Sequence, residues 1–443
     1  MDSGCESRTI DDMKTLRLLT SLFLLSLAGQ TTVRAYEVRT WTSADGRTIQ
    51  AELLSFDGTN VTVKDTAGQR FTFAKTKLGQ ADIAYLNEYA KVAPSPFGDK
   101  SANEKVANPA KEAKIDPKTF KEAGDFDIPG AKFQVLETTH FKIMHSKGAK
   151  PDDLAELAER MWCDAAFFHS GFARQFQDRR MAIFLVDDEY VYKSIGEWYC
   201  GLLKAAGGAG VDAAEQTAKT WMRAQAGAVQ LPASIADPNG VLTFARVFRN
   251  YEIKQAASAE NDKVKTEKIK GVWIPFRVHC LAGDLLSLQT EGTSGFGSRG
   301  LYALHTGLAY YKEIYLTGRS ETSILSSESV QDVKTTGGFS QSDKWGDELR
   351  KMIRKGEFKP SFDALLNMTA QGAKPENNVL AYTFLHFLHS SQARVAGWSA
   401  LVERISTSNQ VPDAEEMAKL LGFPDKATLE KEWLDYVNTS KIK

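Results

Sequence analysis

The sequence predicts a multidomain chain, a small all-β module followed by a larger α+β, mostly helical domain. Three observations predict it. From Tyr36 to about Lys91, short runs of strand-forming residues are separated by turn residues such as Asp57-Gly58 and Ala67-Gly68. From Val272 onward, apolar residues recur mostly at helical spacing. Between the two lies a stretch, residues 92–125, rich in Pro, Lys, Glu, Ala, Ser and Asn with little periodicity, which reads as a flexible linker. The composition fits: 443 residues, 42% hydrophobic and 25% charged, near the globular average. That excludes fibrous, collagen-like and wholly disordered chains, and the length suffices for two or three separate cores. With 55 Lys+Arg against 56 Asp+Glu, the net charge of -1 provides no general attraction to nucleic acid or an anionic membrane.

The chain starts with an address. Lys14 and Arg17 precede an apolar run from Leu18 to Ala28, and Val33-Arg34-Ala35 follows. These are the three parts of a secretory signal peptide over residues 1–35, with cleavage after Ala35. Met13 reads as the start and residues 1–12 as an upstream extension. The apolar run falls short of the roughly 20 residues that cross a bilayer. The expectation is an exported chain, periplasmic or extracellular, with no transmembrane segment in the mature protein. Cys5 leaves with the leader. Cys163, Cys200 and Cys280 stay, either as a Cys163–Cys200 disulfide with one free thiol or as three reduced, buried cysteines.

In the β module, strands are expected over residues 37–42, 48–56, 60–64 and 70–73, and apolar residues at 83, 86 and 90 have helical spacing. The order is Arg39-x-Trp41-Thr42 with Gly46, then Ala51-Glu52-Leu53, Gly58-x-x-Val61-x-Val63-Lys64 and Arg70–Phe73. It closes with Lys77-Leu78, Asp82 and Tyr85-Leu86. This resembles the Sla homology domain one family, described in a yeast endocytic adaptor and common in exported bacterial proteins. The resemblance covers residues 36–91 and implies an SH3-like β-barrel that binds a peptide or protein partner. Trp41, Phe71 and Phe73 are the candidate ligand contacts, with barrel core as their other reading. In the yeast adaptor the domain recognises Asn-Pro-Phe-x-Asp peptides. The linker carries Ser95-Pro96-Phe97-Gly98-Asp99, a near match, so docking of the linker on a barrel is an expectation.

In the domain at 126–443, strands are expected over 135–144, 181–186 and 241–248, and a helix over 151–176. Asp187-Asp188 caps a helix that begins near Glu189. Further helices are expected over 272–290, 300–316, 343–355, 376–391, 396–406, 413–421 and 427–438. The succession resembles the peptidase-MA-like, gluzincin-type metallopeptidases. The likeness rests on Leu136–Ile143, Phe184–Tyr190, Phe276–Leu286, Leu301–Glu313 and the two C-terminal helices. In that family, two His at i and i+4 and a Glu on the next helix bind zinc, and the Glu between the His is the general base. Here His279 stands at the first His position, but Cys280 replaces the base, Gly283 the second His and Thr306 the third ligand. The resemblance therefore implies a pseudo-enzyme with no catalytic residue and no cofactor. Cys280, Asp284 and His305 are the candidate substitute metal ligands.

Other patterns have simpler readings. Gly295-Phe296-Gly297-Ser298-Arg299-Gly300 follows a helix, not a strand, and reads as a loop. His386 and His389 share a half-buried helix edge. No nucleophilic triad, phosphate loop or basic-aromatic nucleic-acid surface is present in the sequence. The first functional expectation is an exported, non-catalytic, adaptor-like protein whose partner is a peptide or protein. The alternatives are an envelope hydrolase with a rearranged site around His279, Cys280 and His305, and a purely structural envelope protein.

Overall fold

The structure is a computed structural model. It describes residues 39–442 except 57–59, 66–68, 93–107, 173–175, 177–178, 224–225, 252–271, 291–300, 325, 331–338, 340–341 and 409–410. The leader, the 95–99 motif (Ser95, Pro96, Phe97, Asp99) and the glycine loop at 295–300 lie outside the described residues. The chain divides into two compact units, Met1–Gly98 and Asp99–Lys443.

In the first unit, β1 (Arg39–Thr42), β2 (Thr48–Phe56), β3 (Asn60–Asp65) and β4 (Arg70–Ala74) form an antiparallel meander in that order. Trp41 pairs with Ile49, and Val61 and Val63 pair with Phe73 and Phe71. Period-two alternation sends Trp41, Ala51, Leu53, Val61 and Val63 inward. Leu86, from helix α1 (Gln80–Val92), closes this core. An isolated antiparallel bridge joins Ser43 to Leu78, after β4. Among the described residues the strands form one four-stranded sheet, and no closed barrel is traced.

The second unit is a mixed α and β structure around a six-stranded sheet. Helix α2 (Pro109–Glu112) comes first, then β5 (Lys121–Ile128), β6 (Ala131–Glu137), β7 (Phe141–His145), α3 (Asp152–Phe168) and β8 (Arg180–Val186). There follow α4 (Glu189–Ala205), α5 (Ala209–Met222), β9 (Ala228–Gln230), α6 (Ala233–Ala236) and β10 (Val241–Arg249). The strand order is β5-β6-β7-β8-β10-β9, with β7, β8 and β10 parallel. Two expectations change here. The single strand over 135–144 is a hairpin, because Thr138 turns the chain by accepting from Phe141 N through Oγ1 at 3.0 Å. The stretch expected as linker ends earlier, since α2 buries Ala110 and β5 starts at Lys121.

Both faces of the sheet are covered. Met181, Ile183 and Leu185 of β8 pack with α3 and with α7 (Pro275–Thr290) on one face. Ala182, Phe184 and Val186 pack with α4 and α5 on the other. This double burial makes β8 a continuous apolar run. It also explains the cysteines. Cys163 lies on α3 and Cys200 on α4, on opposite faces of the sheet, so the expected Cys163–Cys200 disulfide does not form, and no disulfide joins the three described cysteines.

The C-terminal part is a helical assembly with a core of its own. It holds α8 (Tyr302–Thr317), the short hairpin of β11 (Thr322–Ser323) and β12 (Ser326–Val330), α9 (Trp345–Lys355) and α10 (Phe362–Leu366). It ends with α11 (Pro375–Leu388), α12 (Gln392–Ser408), α13 (Ala414–Leu420) and α14 (Lys426–Thr439). Caps set several starts: Asp413 accepts from Glu416 N at 2.8 Å and Asp425 from Thr428 N at 2.7 Å. No helix among the described residues is long and apolar enough to cross a membrane.

Candidate functional site

The first unit carries a groove of about 570 Å³ at one end of its sheet. Trp41, Ile49, Phe73 and Leu78 form its apolar wall, and Asp45, Arg47 and Lys77 stand among its polar lining. The wall is held rigidly. Trp41 is 1% exposed, donates from Nε1 to Ala51 O at 2.9 Å and meets Tyr85 edge-on at 5.8 Å. The Arg39 guanidinium lies over the Tyr85 ring at 3.7 Å and pairs with Asp82 at 2.6 Å. The other Asp82 oxygen accepts from Thr42 N at 2.6 Å, tying α1 to the end of β1. At the rim, Arg47 bonds Asp45 at 2.9 Å and holds its carboxyl down to about 2, so the pair stays charged in neutral water.

Two of the three residues expected to contact a ligand therefore meet at one groove. Trp41 belongs to the core and presents only part of its ring. Phe73 is half-buried and lines the groove. Phe71 is half-buried against the core and is not among the groove residues. Ile49, Leu78 and the Asp45–Arg47 pair were missed, although the alternation around Trp41 places Ile49 directly opposite it.

In the second unit, α7 and α8 carry the positions where the resemblance would put zinc. His279 is 2% exposed, and its Nδ1 lies 3.1 Å from Glu313 Oε2. Its ring stands edge-on to Tyr310 at 4.4 Å. Glu313 also accepts from Glu321 N at 2.8 Å, Thr322 N at 3.1 Å and Ser320 Oγ at 2.8 Å. His279 thus belongs to a brace between α7, α8 and the turn after α8. Asp284 is 2% exposed and holds Arg246 of β10 in a two-pronged ion pair, with Nε to Oδ2 at 2.6 Å and Nη2 to Oδ1. His305 is fully buried, its Nε2 2.9 Å from Thr290 Oγ1, and burial pushes its pKa down to about 3. Cys280 is 4% exposed.

These residues do not fit a metal centre. No group of three or more His, Cys, Asp or Glu among the described residues is placed to hold a metal ion. Each substitute expected from sequence is committed elsewhere or sealed in the core. Asp284, read from sequence as a ligand or a surface charge, is neither, because Arg246 neutralises it inside the protein. Arg246 and Glu313 were missed because both partners are brought in by tertiary folding, 38 and 34 residues away.

A second buried polar group also went unread. Lys312 Nζ pairs with Asp164 Oδ2 at 2.7 Å and sits 3.8 Å over the Phe168 ring, linking α8 to α3. His169 and His389 share this layer, both with imidazole pKa values depressed by burial, His169 to about 3. Asp164 falls on the same helical face as Leu157, Met161 and Phe168, and that position was the signal that could have found it.

The chain matches no protein-family model, no curated protein and no solved structure.

Proposed function

We propose that this chain is a protein-binding, adaptor-like protein that works without catalysis. The first unit takes an extended peptide segment in its groove, and the second unit is a pseudo-enzyme scaffold. The observation that carries the reading is the groove itself. An apolar wall built from Trp41, Ile49, Phe73 and Leu78 sits beside the charged Asp45–Arg47 pair. Such a surface accepts an apolar or aromatic side chain and orients the flanking charges of a peptide. The sequence order from Arg39 to Leu86 supports an SH3-like module of the Sla homology domain one kind. The leader-like residues 1–35 support export to the periplasm or the extracellular space. The hydrolase reading around His279, Cys280 and His305 is favoured by no observation, since the three are buried and two are hydrogen-bonded within the core.

The test is a random-peptide selection on the full chain, followed by amide-shift mapping of an enriched peptide. The reading expects apolar or aromatic anchors in the enriched set and shifts concentrated at residues 41–49 and 73–78. Enrichment of peptides that shift only the second unit would overturn it.

A further inference from the structure

The carboxyl ends of the three parallel strands carry a row of polar residues that the proposed peptide groove does not use. Residues paired across parallel strands point to the same face, and that face recurs every second residue. His145 pairs with Leu185, and Leu185 with Phe248. Leu185 and Phe248 lie in the core beneath α3 and α7. Two residues further on the same face come Asp187 and Asn250, joined from Asn250 Nδ2 to Asp187 Oδ1 at 2.6 Å. The apolar face thus ends in a polar row just past the strand ends, where open α/β sheets bind their ligands.

Arg277, in the first turn of α7, closes this row. It is 3% exposed, and its Nη2 donates to Asn250 Oδ1 at 2.7 Å. Its Nε has no partner, and among the described residues no carboxylate lies within ion-pair distance of it. A neutral amide therefore separates the guanidinium from Asp187. Burying a guanidinium without a contacting counter-charge is unfavourable. The strain shows in its pKa, pushed down by burial to about 10 against the pull of Asp153 and Asp187. His145 is a second buried polar group, 5% exposed, with Nδ1 3.4 Å from Ser146 O and Nε2 unpartnered among the described residues.

The connection from β7 to α3 completes the picture. It runs Ser146-Lys147-Gly148-Ala149-Lys150-Pro151, with exposed Lys147 and Lys150 and with Gly148 at φ 97°. It leads into the N-terminus of a 17-residue helix whose N-cap, Pro151, makes no side-chain cap. Asp152 and Asp153 in its first turn already meet the positive end of its dipole. Ser146 Oγ accepts from Asp187 N at 3.2 Å and ties this loop to the end of β8.

We infer that this polar row binds an oxyanion, a carboxylate or phosphate group, at the unpartnered Nε of Arg277, with His145 and Lys147 at the same strand ends. The unpartnered Nε–H of Arg277 can give such a group one charge-assisted hydrogen bond. The ligand supplies a directly contacting counter-charge, which no described carboxylate gives Arg277; Asp153 and Asp187 act on it only from further away.

The test titrates inorganic phosphate and, separately, acetate into the full chain at constant ionic strength set with sodium chloride. Binding is followed by calorimetry and by the His145 ring resonances. Saturable binding is expected for at least one oxyanion, with a shift of the His145 ring. Tighter phosphate binding assigns a phosphate ligand, and tighter acetate binding a carboxylate. Arg277→Lys keeps the charge but loses the Nε–H donor, and is expected to weaken binding at least ten-fold. Lys147→Glu is at the surface, keeps the fold and is expected to weaken it several-fold. Absence of saturable binding by both probes overturns the inference. So does binding that Lys147→Glu leaves unchanged and that does not move the His145 resonances, which marks an adventitious ion only.

Discussion

Asp284 and Arg246 show how a single residue changes meaning between sequence and structure. Spacing alone places Asp284 one turn beyond Cys280, which fits a ligand as well as a surface charge. The fold instead buries it opposite Arg246, with both carboxylate oxygens engaged. Removing one member of a buried pair strands the other. Asp284→Asn is therefore expected to destabilise the protein by about 3–5 kcal/mol, measured by urea unfolding. The double replacement of Asp284→Leu with Arg246→Met is expected to recover most of that loss. A small effect for Asp284→Asn would mean that Arg246 is well served without it. His279 follows the same logic. A polar residue in an apolar helix was legible as special, but its partner Glu313 was not, because nothing local links the two.

At the scale of elements, most helices and strands could be read from the sequence, and the misreadings have physical causes. Helices α9 and α14 have one apolar face and announce themselves by period. Every residue of α7 is buried, so its period is blurred and only its length and flanks identify it. The β6–β7 hairpin was read as one strand because its turn, Thr138-Thr139-His140, lacks Gly, Pro, Asn and Asp. Close approach of α8 and α11 depends on Gly307. A Cβ added there would collide with the backbone carbonyl of Ala381 and meet Leu385 Cδ2 at 2.9 Å. Backbone cannot yield as a side chain can, so Gly307→Ala is expected to cost about 1–3 kcal/mol in thermal or urea unfolding. Gly201→Ala, in α4 with nothing within 4 Å, serves as the control. It is expected to be neutral or to stabilise by about 0.5–1 kcal/mol. Equal effects at the two sites would refute the packing argument.

Over the whole molecule, buried histidines couple stability to acidity. His169 and His305 are held near 3 and His386 near 4 by burial, with His389 well below its ordinary 6.5. Lys312, paired with Asp164, adds to the depression at His169 and His389. Below about pH 6.5 the unfolded chain takes up protons that the folded chain refuses. The stability these groups contribute is therefore complete above pH 6.5 and is lost as pH falls towards 3–4. Each group steepens the loss by up to about 1.4 kcal/mol per pH unit. His169 makes no ring hydrogen bond among the described residues. His169→Phe is expected to flatten the acid limb of the stability profile by about one proton while leaving stability at pH 7 unchanged or higher. An unchanged acid limb would show that this histidine titrates alike in both states.

The division into a β module and a larger α+β unit was legible because composition and period both change along the chain. The groove was legible only in part. Trp41 and Phe73 stood out as large apolar residues in polar strands, whereas Leu78 reaches the groove through the Ser43–Leu78 bridge, which no local pattern encodes. The decisive measurement is the dissociation constant of one selected peptide for the wild-type full chain, for Ile49→Glu and for the exposed rim variant Thr48→Glu, with folding checked by circular dichroism. If the groove is the binding site, both variants weaken the peptide at least ten-fold while remaining folded. Unchanged affinity in both folded variants would contradict peptide binding at the groove.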